Sequence, residues 1–356
     1  MKALILSGGR GTRLRPITHT SAKQLVPVAN KPILFYAIEA IKNAGITEIG
    51  IIVGDTHEEI KAACGDGSQF GCEITYIKQD DPLGLAHAVK IAEDYMAGES
   101  FVMYLGDNLV RDGITPLVNE FRTGGNNAQI LLAHVPKPNE FGVAELDPAT
   151  GRVVRLEEKP AKPKSDLALV GVYMFDKTIF TAVNAIKPSP RGELEITDAI
   201  QYLIDNDYKV HSHVITGWWK DTGKLEDMLE ANRIVLDTLA PRIECEVDKE
   251  SKLLGKVQVG KGTKIVNSVV RGPAVIGEDC VIENAYVGPF TSIYYGCTLR
   301  NSEIEHSIVL EHSSICDIGS RIEDSLIGKN VEVERTDAKP KAYRLMLGDN
   351  SVVHLI

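Results

Sequence analysis

Residues 4–16 read LILSGGRGTRLRP, and the fold turns on how this stretch is read. An apolar run, Leu4 to Leu6, passes into Gly8, Gly9 and Gly11, and then into Arg13 and Arg15. Open α/β sheets present ligand sites in this way, at the carboxyl ends of their strands. Glycines let backbone N–H groups close around phosphate oxygens. Two common phosphate loops do not fit. The dinucleotide fingerprint would need a glycine at position 14, which is Leu14, and no G-K-[ST] triplet follows for a P-loop. A glycine loop followed by a fixed arginine suits a triphosphate whose β and γ groups leave as pyrophosphate. An arginine fork matches phosphate geometry where lysine offers only a point charge.

The charge pattern points the same way. The chain of 356 residues carries 49 acids and a net charge of −10. Residues 1–38 nevertheless hold six Lys or Arg and no Asp or Glu, where an even spread would place about five acids. The overall acidity argues against nucleic-acid binding, which needs a basic face. No apolar run approaches a membrane span. Five apolar residues before the first glycine pair are too few for a signal peptide. Six cysteines without a C-x-x-C pair suggest neither a zinc site nor a disulfide framework, so a reduced, cytoplasmic protein is expected.

Beyond the loop, KALILS, EIGIIVG, EITYIK, FVMYLGD and QILLAHV read as short buried strands alternating with helical patterns. In NKPILFYAIEAIKNAG, Asn30 is placed to cap a helix, Pro32 to start it and Gly45 to stop it, with Leu34, Ile38 and Ile41 on one face. Thr56 and Glu59 fit a capping box. The alternation predicts an α/β, Rossmann-like domain with a mostly parallel sheet over residues 1–240. After residue 240 the texture changes. Val275, Val281, Val287, Ile293 and Leu299 recur every six residues, with Ala285, Thr291 and Cys297 four places on. Such hexads predict a short left-handed parallel β-helix within a second domain, 241–356. The register slips at 266–274 and 300–308, Arg321 occupies an aliphatic place, and KAYRLMLGDNSVVHLI reads as a separate closing segment.

The motif SGGRGTRLRPIT is similar to the G-G-x-G-[ST]-R-L-x-P-x-T signature of sugar-phosphate nucleotidylyltransferases, and AKQLVPVANKPIL to their second motif. The resemblance continues through LGDN, EEKP, GELEITD and WWKDTG, over about residues 1–235. Lys23 followed by Gln24 resembles the branch that transfers thymidylyl groups from dTTP to glucose 1-phosphate, in its long form with a hexad tail. Ser7 and Arg10 replace the commoner alanine and serine.

The resemblance implies residue roles. Arg13 steadies the departing pyrophosphate, Lys23 contacts the phosphates, and Lys159 grips the sugar phosphate. Leu6, Gly8, Gly9, Gly11, Thr12, Arg13 and Asp107 surround the nucleotide. Gln24 and Gln79 read the base, with Pro82 and Gly84 beside the ring. Asn108, Gly142, Glu158, Leu169 and Tyr173 join Lys159 around the sugar, Leu169 standing where relatives carry valine. Asp107 and Asp221 hold Mg²⁺. The sugar phosphate attacks the α-phosphorus already ionised, so no general base is needed. Two anions must meet, and a like-charge pair at 4 Å costs about 4 kcal/mol at an effective dielectric of 20. Several cations must therefore gather first. The hexad tail is short for an acetyltransferase, which leaves packing or assembly as its role and a homo-oligomer as the expected state. His19, His87, His211 and His213 receive no role. The rival readings are a uridylyltransferase on glucose or N-acetylglucosamine 1-phosphate and a non-catalytic sensor or scaffold.

Overall fold

The computed structural model describes residues 1–356 except 10, 20, 337, 338, 340, 341, 344, 355 and 356. A nine-stranded sheet is built from β1 (Lys2–Leu6), β2 (Glu48–Val53), β3 (Glu73–Lys78), β4 (Phe101–Leu105), β5 (Ala128–His134), β6 (Gly142–Leu146), β7 (Val153–Glu158), β8 (Leu167–Phe175) and β9 (Val210–Val214). Its order is β7-β6-β8-β4-β1-β2-β3, with β5 also paired to β8 and β9 to β5. Strands β4, β1, β2 and β3 run parallel, as does β9 on β5, while β8 crosses antiparallel to β4, β5 and β6. Alternate residues serve opposite faces, as a two-residue period requires. Ala3 and Ile5 join one core cluster and Leu4 and Leu6 the other. Both faces are covered, so β1 is buried throughout its last four residues and reads as a continuous apolar run.

Helix Ile33–Asn43 buries Leu34, Ile38 and Ile41, as its period predicts. Its entry differs from expectation. Asn30 does not cap it. Pro27–Val28 and Lys31–Pro32 form a small hairpin whose two turn residues, Ala29 and Asn30, have φ of +48° and +59°. A two-residue hairpin loop with both φ values positive has the twist its strands need, and that requirement overrides the cap. The capping box is also absent. Thr56 precedes helix His57–Cys64 but makes no side-chain cap bond. Glu59 instead accepts a hydrogen bond from the Ala22 amide, 2.6 Å away. A carboxylate from outside thus serves the acid-free stretch.

The chain forms two compact units. One comprises residues 1–10, 21–25 and 33–221, and the other 11–20, 26–32 and 222–356. Within the second unit lies a β-helix of three parallel sheets, with six, six and four strands. Strands Val257–Val259, Ala274–Ile276 and Thr291–Ile293 stack directly, so a coil is 17 residues long at that level. The inward aliphatics are Ile265, Val270, Ile276, Ile282, Val287, Ile293, Leu299 and Ile304, spaced six, six and five around each coil. Val275 and Val281 stand outside this cluster because neighbours in a strand face opposite ways. The apparent slips at 266–274 and 300–308 are the short third side of each coil. Corners are filled by hydroxyls that accept the amide of the next coil, as Thr263 does from Cys280 and Ser268 from Ala285, both at 3.0 Å. Asn267, Asn284 and Asn301 hold left-handed corners and form an amide ladder that ends on Asp317. At Arg321 the inward place passes to Ile322, which bridges to Ile304, while the guanidinium pairs outward with Glu303 and Glu305. Among the described residues no strand or helix follows Glu332–Glu334, and part of the closing segment lies outside them. No helix among the described residues is long and apolar enough to cross a membrane.

Candidate active site

Strand β4 ends at Leu105, and the Gly106 amide donates to the Leu6 carbonyl at 3.0 Å, which fixes the end of β1 to the end of β4. Asp107 follows at once. Beyond it, Asn108–Val110 pairs antiparallel with Trp219–Asp221, placing Asp221 opposite Asn108. This ribbon is how two acids 114 positions apart meet. Lys23, buried to 6% exposure, donates its ammonium to Asp107 and lies 3.8 Å from Asp221. Asn108 is buried with its amide donating to Asp107 at 2.8 Å and its carbonyl accepting from the Trp219 indole at 2.5 Å. Its contacts are those of a residue that orients Asp107. Burial alone would raise the Asp107 carboxyl, but the Lys23 ammonium and the Asn108 amide outweigh it and hold the group below the ordinary carboxylate range. Two carboxylates at one end of the ribbon fit a hard divalent cation that draws its remaining ligands from water and substrate phosphates. Among the described residues no group of three or more His, Cys, Asp or Glu forms a complete cage.

The predicted base-reading glutamines are both buried. Gln79 places its side-chain oxygen 2.9 Å from where a Cβ on Gly8 would lie, so Gly8 is small because Gln79 is there. The Gln79 amide nitrogen is 3.0 Å from the His87 ring, which supplies a role the sequence had not assigned to His87. The side-chain oxygen of Gln24 is buried with no hydrogen-bond partner among the described residues. Such an orphan is costly unless something else completes it. Gly84 opens helix Leu85–Ile91 with φ +106°, and a Cβ there would lie 2.4 Å from the Leu194 carbonyl oxygen. Gly8→Ala is expected to push Gln79 aside and raise about tenfold the KM for the nucleotide that the resemblance implies, with the KM for the sugar phosphate unchanged. Steady-state kinetics with each substrate varied in turn checks this. Pro82 lies in an exposed loop, and a side chain at Gly9 would meet open space. The Ser7 hydroxyl is buried without a partner among the described residues, and nothing in the structure explains it.

The predicted sugar-pocket residues cluster. A Cβ on Gly142 would fall 2.7 Å from the Thr197 methyl, 3.0 Å from Glu158 and 3.5 Å from Leu169. Burial and the nearby Glu158 charge push the Tyr173 hydroxyl well above its ordinary value. Lys159 stands at φ +42°, with its amide donating to the Phe141 carbonyl and its ammonium 3.6 Å from Glu158. Sequence reasoning missed Arg191 and Thr197. Arg191 reaches Glu158 at 3.5 Å and Glu195 at 3.3 Å, and Thr197 donates to Glu158 at 3.4 Å. Both lie in or beside GELEITD, so the matched motif was the signal that could have found them.

Gly11, Thr12 and Arg13 belong to the second unit. Gly11, at φ +60°, opens a short turn over Thr12–Leu14, and Thr18 donates to its carbonyl at 2.6 Å. A Cβ at Gly223 would lie 2.9 Å from the Arg13 guanidinium, so the glycine of WWKDTG leaves room for that arginine. Lys2 is counted in the basic window but sits at the opposite end of β1, with its ammonium bonded to the Tyr95 carbonyl and near Glu48 and Glu99. His211 and His213 pair with Glu120, at 3.2 and 3.3 Å. A cleft of about 670 Å³ bounded by Arg111, Glu120, His213 and Trp218 contains none of the predicted site residues.

Residues 2–238 match the nucleotidyl transferase family. Over its whole length the chain is 58% identical to the glucose-1-phosphate thymidylyltransferase of Streptomyces antibioticus, covering 99% of that protein. It is 49% identical to the low-salt glycan biosynthesis nucleotidyltransferase Agl11 of Haloferax volcanii, with both chains covered in full. A solved Bacillus anthracis structure, assigned as a glucose-1-phosphate thymidylyltransferase and complexed with sucrose, superposes with a TM-score of 0.63. It is 37% identical, over 68% of this chain and 98% of that one.

Proposed function

This chain belongs to the nucleotidyl transferase family, and from that premise we propose its reaction: transfer of a thymidylyl group from dTTP to glucose 1-phosphate. The products are dTDP-glucose and pyrophosphate. A phosphate oxygen of the sugar phosphate forms a bond to the α-phosphorus, and the bond from that phosphorus to the bridging β-phosphate oxygen breaks. The electron pair leaves with pyrophosphate. The observation that carries the reading is the pair Asp107 and Asp221 spanned by Lys23, next to the end of the strand that feeds the glycine loop.

Members of this family use a divalent metal, and we take Mg²⁺ as the ion that Asp107 and Asp221 would hold. When bound it would neutralise phosphate charge and draw electron density from the α-phosphorus. The protein's own groups do the rest. Arg13 offers its fork to the pyrophosphate, and Lys23 balances both carboxylates and faces the phosphates. Lys159 and Arg191 flank Glu158, so the sugar phosphate meets two cations beside the carboxylate that accepts from the sugar hydroxyls. Positioning and charge stabilisation suffice for such a transfer. Gln24 and Gln79 read the base. The proposed division keeps catalysis in residues 1–240 and the β-helix in 241–356, within a homo-oligomer.

Pyrophosphate release tests the reaction. Initial rates are expected to be at least about tenfold higher with dTTP than with UTP. A preference for UTP would defeat the thymidylyl reading and favour the uridylyl one.

A further inference from the structure

The hairpin Pro27–Val28/Lys31–Pro32 carries a strained turn. Ala29 sits at φ +48°, where an L-residue with a Cβ is disfavoured. Such a conformation persists only when its surroundings over-determine it, and it often marks a functional constraint. The surroundings here are specific. Asn232, on helix Leu225–Thr238, is fully buried and accepts the Ala29 amide at 2.8 Å. The same amide oxygen accepts the Ser292 hydroxyl at 2.6 Å, and the Asn232 nitrogen donates to the Phe290 carbonyl at 3.0 Å. Asn30 donates to the Ile293 carbonyl at 2.7 Å. Phe290, Ser292 and Ile293 belong to the β-helix. Helix, hairpin and β-helix lie in one compact unit.

Along the chain, the turn Lys23–Leu25 runs straight into this hairpin, with only Val26 between. Lys23 and Gln24 sit on that turn. We infer that Asn232 and Asn30 are positioning residues which clamp the hairpin to the β-helix and so set Lys23 and Gln24 for the nucleotide. The β-helix is then a working part of nucleotide binding as well as a packing module. Every polar group of the Asn232 amide that the clamp needs is used, and no other side chain reaches the Ala29 amide among the described residues.

The inference rests on the thymidylyl reading, and the experiment separates the two. Wild-type rates with dTTP and UTP test the reading. The clamp is tested by comparing KM values for nucleotide and sugar phosphate in Asn232→Ala and Asn30→Gly, using whichever nucleotide the wild type prefers. Glycine accepts the left-handed φ at position 30, so Asn30→Gly removes only the bridge to Ile293. Asn232→Ala is expected to raise the nucleotide KM at least about tenfold, and Asn30→Gly about threefold, with the glucose 1-phosphate KM within about twofold of wild type. A merely structural loss would weaken both substrates together. Equal rises in both KM values, or no rise in either, overturn the clamp. If Asn232→Ala does not fold, Asn30→Gly decides alone by the same criterion.

Discussion

Asp107→Asn is expected to lower thymidylyl transfer by about a thousandfold or more, equivalent to roughly 4 kcal/mol of lost transition-state stabilisation. Asp221→Asn is expected to do the same. Each change keeps the side chain's shape and removes the negative charge that a divalent ion requires. The fold should survive, because Asp107 follows β4 and Asp221 ends a two-strand ribbon, both outside the apolar clusters. An unchanged far-UV circular dichroism spectrum checks this. A second readout separates charge from packing. The folded Asp107 carboxyl lies below its unfolded value, so its stabilising contribution is present above the unfolded pKa and fades as pH falls through the folded one. The stability difference between wild type and Asp107→Asn should therefore shrink on acidification below about pH 4. Should either variant retain activity within tenfold of wild type, the metal assignment fails.

How much of this arrangement was legible in the sequence depends on whether its cause was local. Strand β1 and its glycine loop were legible because burial on both faces writes a continuous apolar run, and the loop then breaks it with glycine. Leu34, Ile38 and Ile41 were legible for the same reason, being one face of one helix. Asn30 and Glu59 depart from the caps their local sequence predicts because distant partners claim them. Asn30 bonds a carbonyl 263 positions away, and Glu59 an amide 37 positions back. Local capping rules cannot see either. The β-helix was legible as a repeat but not in register. A period of six imposed on sides of six, six and five drifts, so it falls on Val275 and Val281 where Ile276 and Ile282 point inward. Spacing gave no reason for Asp107 to meet Asp221. Motif resemblance suggested it, and the pairing of Asn108–Val110 with Trp219–Asp221 supplies the physical cause.

Lys23→Met is expected to cut kcat/KM about a hundred- to a thousandfold, and its pH profile should say why. Lys23 donates to Asp107, and it also faces Asp221. Methionine fills a similar volume without the charge. Asp107 then keeps its burial, which raises its carboxyl, and loses the ammonium that opposes that rise. Its pKa must move up, so the acid limb of the kcat/KM profile should shift to higher pH. The loss is not expected to be additive. Once Asp107 is asparagine, Lys23 no longer faces a charge at that position, and removing the ammonium should cost far less than in the wild type. A double-mutant cycle on Lys23→Met and Asp107→Asn would measure this coupling. Lys23→Arg should not rescue, because the ammonium is enclosed and a planar guanidinium cannot occupy its place. Full additivity, or an acid limb that stays where it was, would mean that the lysine acts on the phosphates alone and that its bridge to the carboxylates is incidental.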